Sequence, residues 1–132
     1  DQPINEELSL KGEIFTGANL DDYLGTIGQN VNTDTTDPVF YEDIRSTGGW
    51  AALSWNPLNK WRFNTGYTLE DVKSGDVNAG DRTLNRSIFA NAIYSINENT
   101  DWGLELSQWH TERKGEKDAD DLRIQTSFVY KF

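Results

Sequence analysis

The stretch Leu122-Arg123-Ile124-Gln125-Thr126-Ser127-Phe128-Val129-Tyr130-Lys131-Phe132 alternates without a break. Leu122, Ile124, Thr126, Phe128, Tyr130 and Phe132 share one parity, and Arg123, Gln125, Ser127, Val129 and Lys131 share the other. Successive side chains of a strand point to opposite faces, so the stretch predicts a strand with one apolar and one mostly polar face. Chain ends are usually polar and frayed. Here the apolar parity runs onto the aromatic Phe132, which raises the question of what that face meets.

Working outward, the same parity recurs upstream. Strands are expected near 8–16, 48–55, 61–69, 84–96, 101–111 and 122–132. Leu8, Leu10, Gly12, Ile14 and Thr16 share one face of the first; Trp61, Phe63, Thr65, Tyr67 and Leu69 share one face of the third. Ile88, Ala90, Ala92, Tyr94 and Ile96 do so in the fourth, and Trp102, Leu104 and Leu106 in the fifth. Pro3 to Glu7 reads as a polar entry, and Asn19 to Tyr23 as a short helical turn capped by Asn19.

The connections carry as much information as the strands. Long polar segments at 17–47, 70–83 and 112–121 alternate with short turns at Asn56–Lys60 and Asn97–Thr100. Pro57 suits the second position of the first turn. Strict long–short alternation predicts an all-β, antiparallel up-and-down meander of about six strands, with one loop-bearing rim and one turn-bearing rim. The whole chain, 1–132, reads as one β segment.

Composition narrows the function. The formal net charge is −10, opposite to what nucleic-acid binding needs. The absence of Cys excludes a disulfide scaffold, a thiolate nucleophile and Cys-based metal sites. Hydrophobic residues make up 36 %, yet there are five Trp, five Tyr and six Phe. No apolar run is long enough for a transmembrane helix, a requirement that barrels escape because only alternate residues meet lipid. The lack of Met suggests a processed chain or a fragment.

Together, the closing Phe-Val-Tyr-Lys-Phe, the phrases Lys11-Gly12-Glu13-Ile14-Phe15-Thr16-Gly17 and Arg45-Ser46-Thr47-Gly48-Gly49-Trp50, and the loop rhythm resemble the C-terminal part of a bacterial outer-membrane porin-like β-barrel. The resemblance implies a transmembrane barrel in the cell outer membrane and a channel for small solutes or ions. It implies Phe128, Tyr130 and Phe132 as the terminal signal read by the barrel-assembly machinery. It also implies contact with membrane lipid and lipopolysaccharide. Bacterial single-chain barrels have at least about eight strands. About six here imply missing upstream strands or homo-oligomer partners, since lipid does not tolerate open sheet edges.

On that reading Lys11, Glu13, Arg62, Asn64, Asn91, Glu105, Ser107, Arg123, Gln125 and Lys131 line the passage. Trp55, Trp61, Tyr94, Trp102, Tyr130 and Phe132 lie beside the short turns and form an interfacial girdle, where amphipathic rings are most comfortable. Two other classes stay open. A soluble antiparallel barrel or sandwich, binding a ligand or carbohydrate, would put the aromatics in a core and Arg62 and Arg123 in water. A structural or adhesive surface protein would use the loops.

Other chemistry is weakly signalled. Asp118, Asp120 and Asp121, Asp34 with Asp37, and Asp71, Asp76 and Asp81 offer oxygen ligands for calcium, but without an EF-hand spacing, so neither a metal nor a cofactor is expected. His110, with Glu112 as its nearest carboxylate in sequence, reads as a surface histidine. Ser46, Ser54 and Ser107 lack a nucleophile elbow. Glu13 and Glu105 would serve glycoside hydrolysis only if brought close together. The chain is expected not to be an enzyme.

Overall fold

A computed structural model describes residues 2–21, 26–29, 31–33 and 41–132. Its strands are β1 (Gln2–Pro3), β2 (Leu8–Ala18), β3 (Asn32–Thr33), β4 (Tyr41–Glu42), β5 (Arg45–Leu58), β6 (Trp61–Val72), β7 (Arg82–Asn97), β8 (Thr100–Arg113) and β9 (Ala119–Tyr130). Seven of them form one open sheet in the order β1-β2-β5-β6-β7-β8-β9, every pair antiparallel. The chain is therefore an all-β, up-and-down meander. β3 and β4 pair with each other in a separate small sheet.

The expected strands are all present, and each of the first five is longer than its alternating core. β7 begins at Arg82 and β8 runs to Arg113, while β9 begins at Ala119. The charged residues there end the apolar alternation without ending the backbone ladder, which does not depend on side-chain type. Three expectations are corrected. Pro3 lies in β1, paired with Ser9, rather than in an irregular entry. Pro57 lies inside β5, at a register irregularity between Trp55 and Leu58, so the turn shrinks to Asn59-Lys60. A residue without an N–H fits where the ladder is already interrupted. At the far end, β9 stops at Tyr130, although the Lys131 N–H still donates to the Asn99 carbonyl at 2.8 Å.

The expected helical turn at Asn19 to Tyr23 falls partly outside the described residues, as do Asp34 and Asp37. Asn19 itself adopts φ +52°, a left-handed conformation that Asn tolerates. It ties the ends of the long connection together. Its N–H donates to the Ile44 carbonyl at 2.9 Å, its Oδ1 accepts from the Ile44 N–H at 3.1 Å, and its Nδ2 donates to Asp43 at 2.7 Å.

Among the described residues buried apolar side chains are few: Ile27, Ile44, Val72 and Val77 cluster where the long connections meet the sheet. The loop carrying Ile27 is pinned over the sheet by polar contacts. The Ile27 N–H donates to Glu70 at 3.1 Å, and the Gln29 side-chain amide bonds both the N–H and the carbonyl of Arg82.

Candidate functional site

Directly paired residues in antiparallel strands share a face. The register therefore sorts the sheet into two surfaces. One carries Leu10, Ile14, Leu53, Phe63, Tyr67, Ile88, Ala90, Leu104, Leu106, Ile124 and Phe128. The other carries the expected passage-lining residues Lys11, Glu13, Arg62, Asn64, Asn91, Glu105, Ser107, Arg123 and Gln125. Lys131 follows β9 and reaches the same surface, its Nζ 3.1 Å from Asp101.

The polar surface is organised in rows. Ser9, Ser54, Asn64, Asn91, Glu105 and Gln125 are consecutive cross-strand partners. Hydrogen bonds link the centre of the row: Ser54 Oγ donates to Asn64 Oδ1 at 2.6 Å, Asn64 Nδ2 to Asn91 Oδ1 at 2.7 Å, and Asn91 Nδ2 to Glu105 Oε2 at 3.0 Å. A carboxylate only accepts, so Asn91 must turn its NH₂ toward Glu105 and its carbonyl toward Asn64. Asn64 must then do the same toward Ser54. The direction of the relay is fixed by its carboxylate end. Beside it, Gly103 leaves room for a hollow of about 200 Å³ lined in part by Asn91, Ile93, Glu105, Gln125 and Ser127.

Other polar groups on this surface are also paired. Thr68 and Ser87 hydroxyls lie 2.8 Å apart, and Ser95 Oγ donates to Asp101 at 2.8 Å. Arg123 stacks over the Trp109 ring at 5.3 Å and lies 3.8 Å from Asp121. Two aromatic residues on this surface lie over glycines of the next strand. An ideal Cβ on Gly66 would meet the Phe89 ring at 2.5 Å, and one on Gly48 the Phe15 ring at 2.5 Å. Thr68, Ser87 and Asp101 were not singled out in the sequence, and Ser54 only as a serine without a nucleophile elbow; their pairing becomes visible once cross-strand register is known.

The apolar surface gathers its rings at the turn-bearing end. Trp61, Tyr94, Trp102 and Phe128 are consecutive partners in one row. Trp61 lies 4.9 Å from Tyr94 and stacks on Phe63 at 5.7 Å, and Trp55 lies 5.7 Å from Phe63. Tyr130 sits one step further out, paired with Thr100, and Phe132 follows beyond the strand, fully exposed. The expected ring residues thus share one end of one face, and Phe63 and Phe128 join them.

Between the Trp61 row and the row of Ala51, Tyr67, Ile88, Gln108 and Leu122, no Asp, Glu, Lys or Arg occupies this face among the described residues. Its threonines are satisfied within the sheet: Thr65 Oγ1 donates to the Phe89 carbonyl at 2.9 Å, and Thr126 Oγ1 to the Gly103 carbonyl at 3.1 Å. Trp102 Nε1 in turn donates to Thr126 at 2.9 Å. Charge returns one row further toward the loops, at Arg86, His110 and Asp120.

Burial is inverted with respect to a water-soluble protein. Ser46, Ser87 and Ser107 on the polar face are at most 4 % exposed, while Leu106 and Ile88 on the apolar face are 50 % and 56 % exposed.

The remaining sequence candidates separate. Asp120 lies 2.9 Å from His110 Nδ1, nearer than Glu112 at 3.6 Å from Nε2, so Glu112 is not the closest carboxylate. Asp121, next in sequence, points to the other face beside Arg123. Asp118, Asp120 and Asp121 are thus not brought together, and no group of three His, Asp or Glu able to hold a metal occurs among the described residues. Asp76 is committed to Arg45, with Nε–Oδ2 at 2.7 Å and Nη2–Oδ1 at 2.8 Å. That guanidinium, chiefly through its hydrogen bonds, holds the Asp76 carboxyl below the usual range, against the opposing effect of burial. Glu13 and Glu105 stand on strands four spacings apart, about 19 Å along the sheet, beyond the roughly 5–9.5 Å that a glycosidase pair keeps.

No family model matches the chain, and neither a curated protein nor a solved structure matches it.

Proposed function

We propose that this chain is part of a porin-like β-barrel of the bacterial outer membrane, with its apolar face against lipid and its polar face along a passage for small solutes or ions. The observation that carries the reading is the inverted burial: three serines of the polar face are at most 4 % exposed and its central amides are bonded to one another, while Ile88, Leu106, Ile124 and Phe128 on the apolar face stand open. In water that arrangement leaves a continuous apolar surface uncovered, which a monomeric soluble domain avoids. In a bilayer it is the favourable one, because lipid receives the apolar residues and every second side chain turns inward.

Dimensions are of the matching order. From the Trp61 row to the charged row at Leu69, β6 extends about 27 Å, and a tilt of about 40° reduces that to about 20 Å, against about 25 Å for the usual apolar band of a barrel. The ring cluster then lies at one interface and the Arg86–His110–Asp120 row near the other. The soluble-module reading needs a partner layer over the apolar face. The small cluster of Ile27, Ile44, Val72 and Val77 packs instead where the loops meet the rim.

The test is conductance of the purified protein in planar bilayers. Discrete steps are expected; a protein that stays monodisperse in detergent-free buffer and gives no steps would overturn the proposal.

A further inference from the structure

The polar face carries several carboxylates, and two of them are ion-paired. Asp101 faces the Lys131 ammonium at 3.1 Å. Asp121 lies beside Arg123. Glu13 shares its face of β2 with Lys11, two residues away, and Glu70, at the loop-bearing end, accepts the Ile27 N–H while its Oε1 is buried without a hydrogen-bond partner. Glu105 lies in the middle of β8, beside the hollow. Its neighbours in the row are Asn91 and Gln125, both neutral, and no lysine or arginine forms an ion pair with it among the described residues. The cation diagonal to it, Arg123, is drawn over the Trp109 ring, toward the loop-bearing end and away from the Glu105 row. The relay from Ser54 through Asn64 to Asn91 holds one carboxylate oxygen, and the hollow beside Gly103 leaves space next to the group.

A fixed, unneutralised carboxylate on the wall of a narrow aqueous path concentrates cations and repels anions, because the low-dielectric surround focuses its field. Hydrogen bonds that fix the group keep it available rather than folded onto a neighbour. We propose that Glu105 selects small inorganic cations over anions in this passage, and that Asn91 and Asn64 are its positioning residues. The inference rests on the reading of the polar face as the wall of an aqueous passage.

The experiment is the reversal potential of the full-length protein in planar bilayers under a potassium chloride gradient. Wild type is expected to prefer potassium. Glu105→Gln keeps an acceptor for Asn91 and removes the charge, so the cation-to-anion permeability ratio should fall several-fold toward one. Asp121→Asn, whose charge is already opposed by Arg123, should change the ratio little. Should E105Q give too few channels, Glu105→Cys provides the second measurement, with the reagent's effect on wild type as the control, since these residues hold no other cysteine. A negatively charged thiol reagent should restore the cation preference, and a positively charged one should reverse it. Channels whose reversal potential is the same in wild type and E105Q, or whose Glu105→Cys form is indifferent to the reagent's charge, would overturn the role of Glu105 while leaving the channel reading intact. Absence of any conductance from wild type would overturn the channel reading and this inference with it.

Discussion

Ser107 is 3 % exposed, whereas Leu106, the residue before it in β8, is 50 % exposed. Neighbours on a strand face opposite sides, so the pair measures the two surfaces at a single level of the sheet. A charge placed at Leu106 would enter the middle of the apolar band. Leu106→Arg should cost about 2–4 kcal/mol of folding free energy in lipid vesicles. Gln125→Lys, on the polar face, should stay within about 0.5 kcal/mol of wild type. Urea titration of the vesicle-folded protein measures both, and equal costs would argue against the assignment of faces.

Gly66 and Phe89 form a cross-strand pair in which the missing side chain of one makes room for the ring of the other. Gly66→Ala forces the ring aside and should destabilise the protein by about 1–3 kcal/mol, as overpacking does. Phe89→Leu in the same chain should recover part of that loss. A double-mutant cycle reads the coupling; additive effects would show that the ring does not rest on the glycine.

The Ser54–Asn64–Asn91–Glu105 relay has a direction, and cutting it near the carboxylate leaves groups on both sides without partners. Asn91→Leu deprives Asn64 Nδ2 of its acceptor and Glu105 Oε2 of its donor, and should cost about 1 kcal/mol. Ser54→Ala, at the far end, removes one bond and should cost less. Equilibrium unfolding of the two variants gives the order, and the reverse order would contradict the relay.

Asp76 joins the connection after β6 to the start of β5 by accepting from the Arg45 side chain and, at 3.2 Å, from its N–H. Its carboxyl is held below the ordinary value by Arg45. A depressed carboxyl contributes stability that is present above the ordinary Asp range and is lost as pH falls through the lowered value. Protease cutting within residues 73–81 should therefore be steady at neutral pH and rise only in strong acid. Asp76→Asn should raise it several-fold at pH 7, without loss of the folded sheet. Cutting that is unchanged in D76N would remove the ion pair as the anchor.

Strand parity and the rhythm of connections were legible in the chain because one face of each strand is apolar over its middle. Where both faces are polar, as at Arg82 and Thr83 or at Ala119–Asp121, the alternation ends and the strand continues, so strand ends were missed. Pro57 resembles a turn residue yet sits at a bulge, a distinction set by pairing with β6. The residues that share the polar face were found by parity alone. Their linkage into one row was not, because register between strands depends on the turns and is absent from any single strand. For the same reason His110 looked toward Glu112, two residues away, when its nearer partner is Asp120 across the ladder.

The central claim is that the apolar face meets lipid and the polar face meets water. Single-cysteine variants at positions 104, 105, 106, 107, 124 and 125, spin-labelled in the vesicle-folded protein, test it most directly. Collisions with dissolved oxygen should be high at 104, 106 and 124, and collisions with a water-soluble nickel chelate should be high at 105 and 125, with a period of two along β8. Labels at 106 and 124 that are shielded from oxygen, or that meet the nickel chelate freely, would contradict the account.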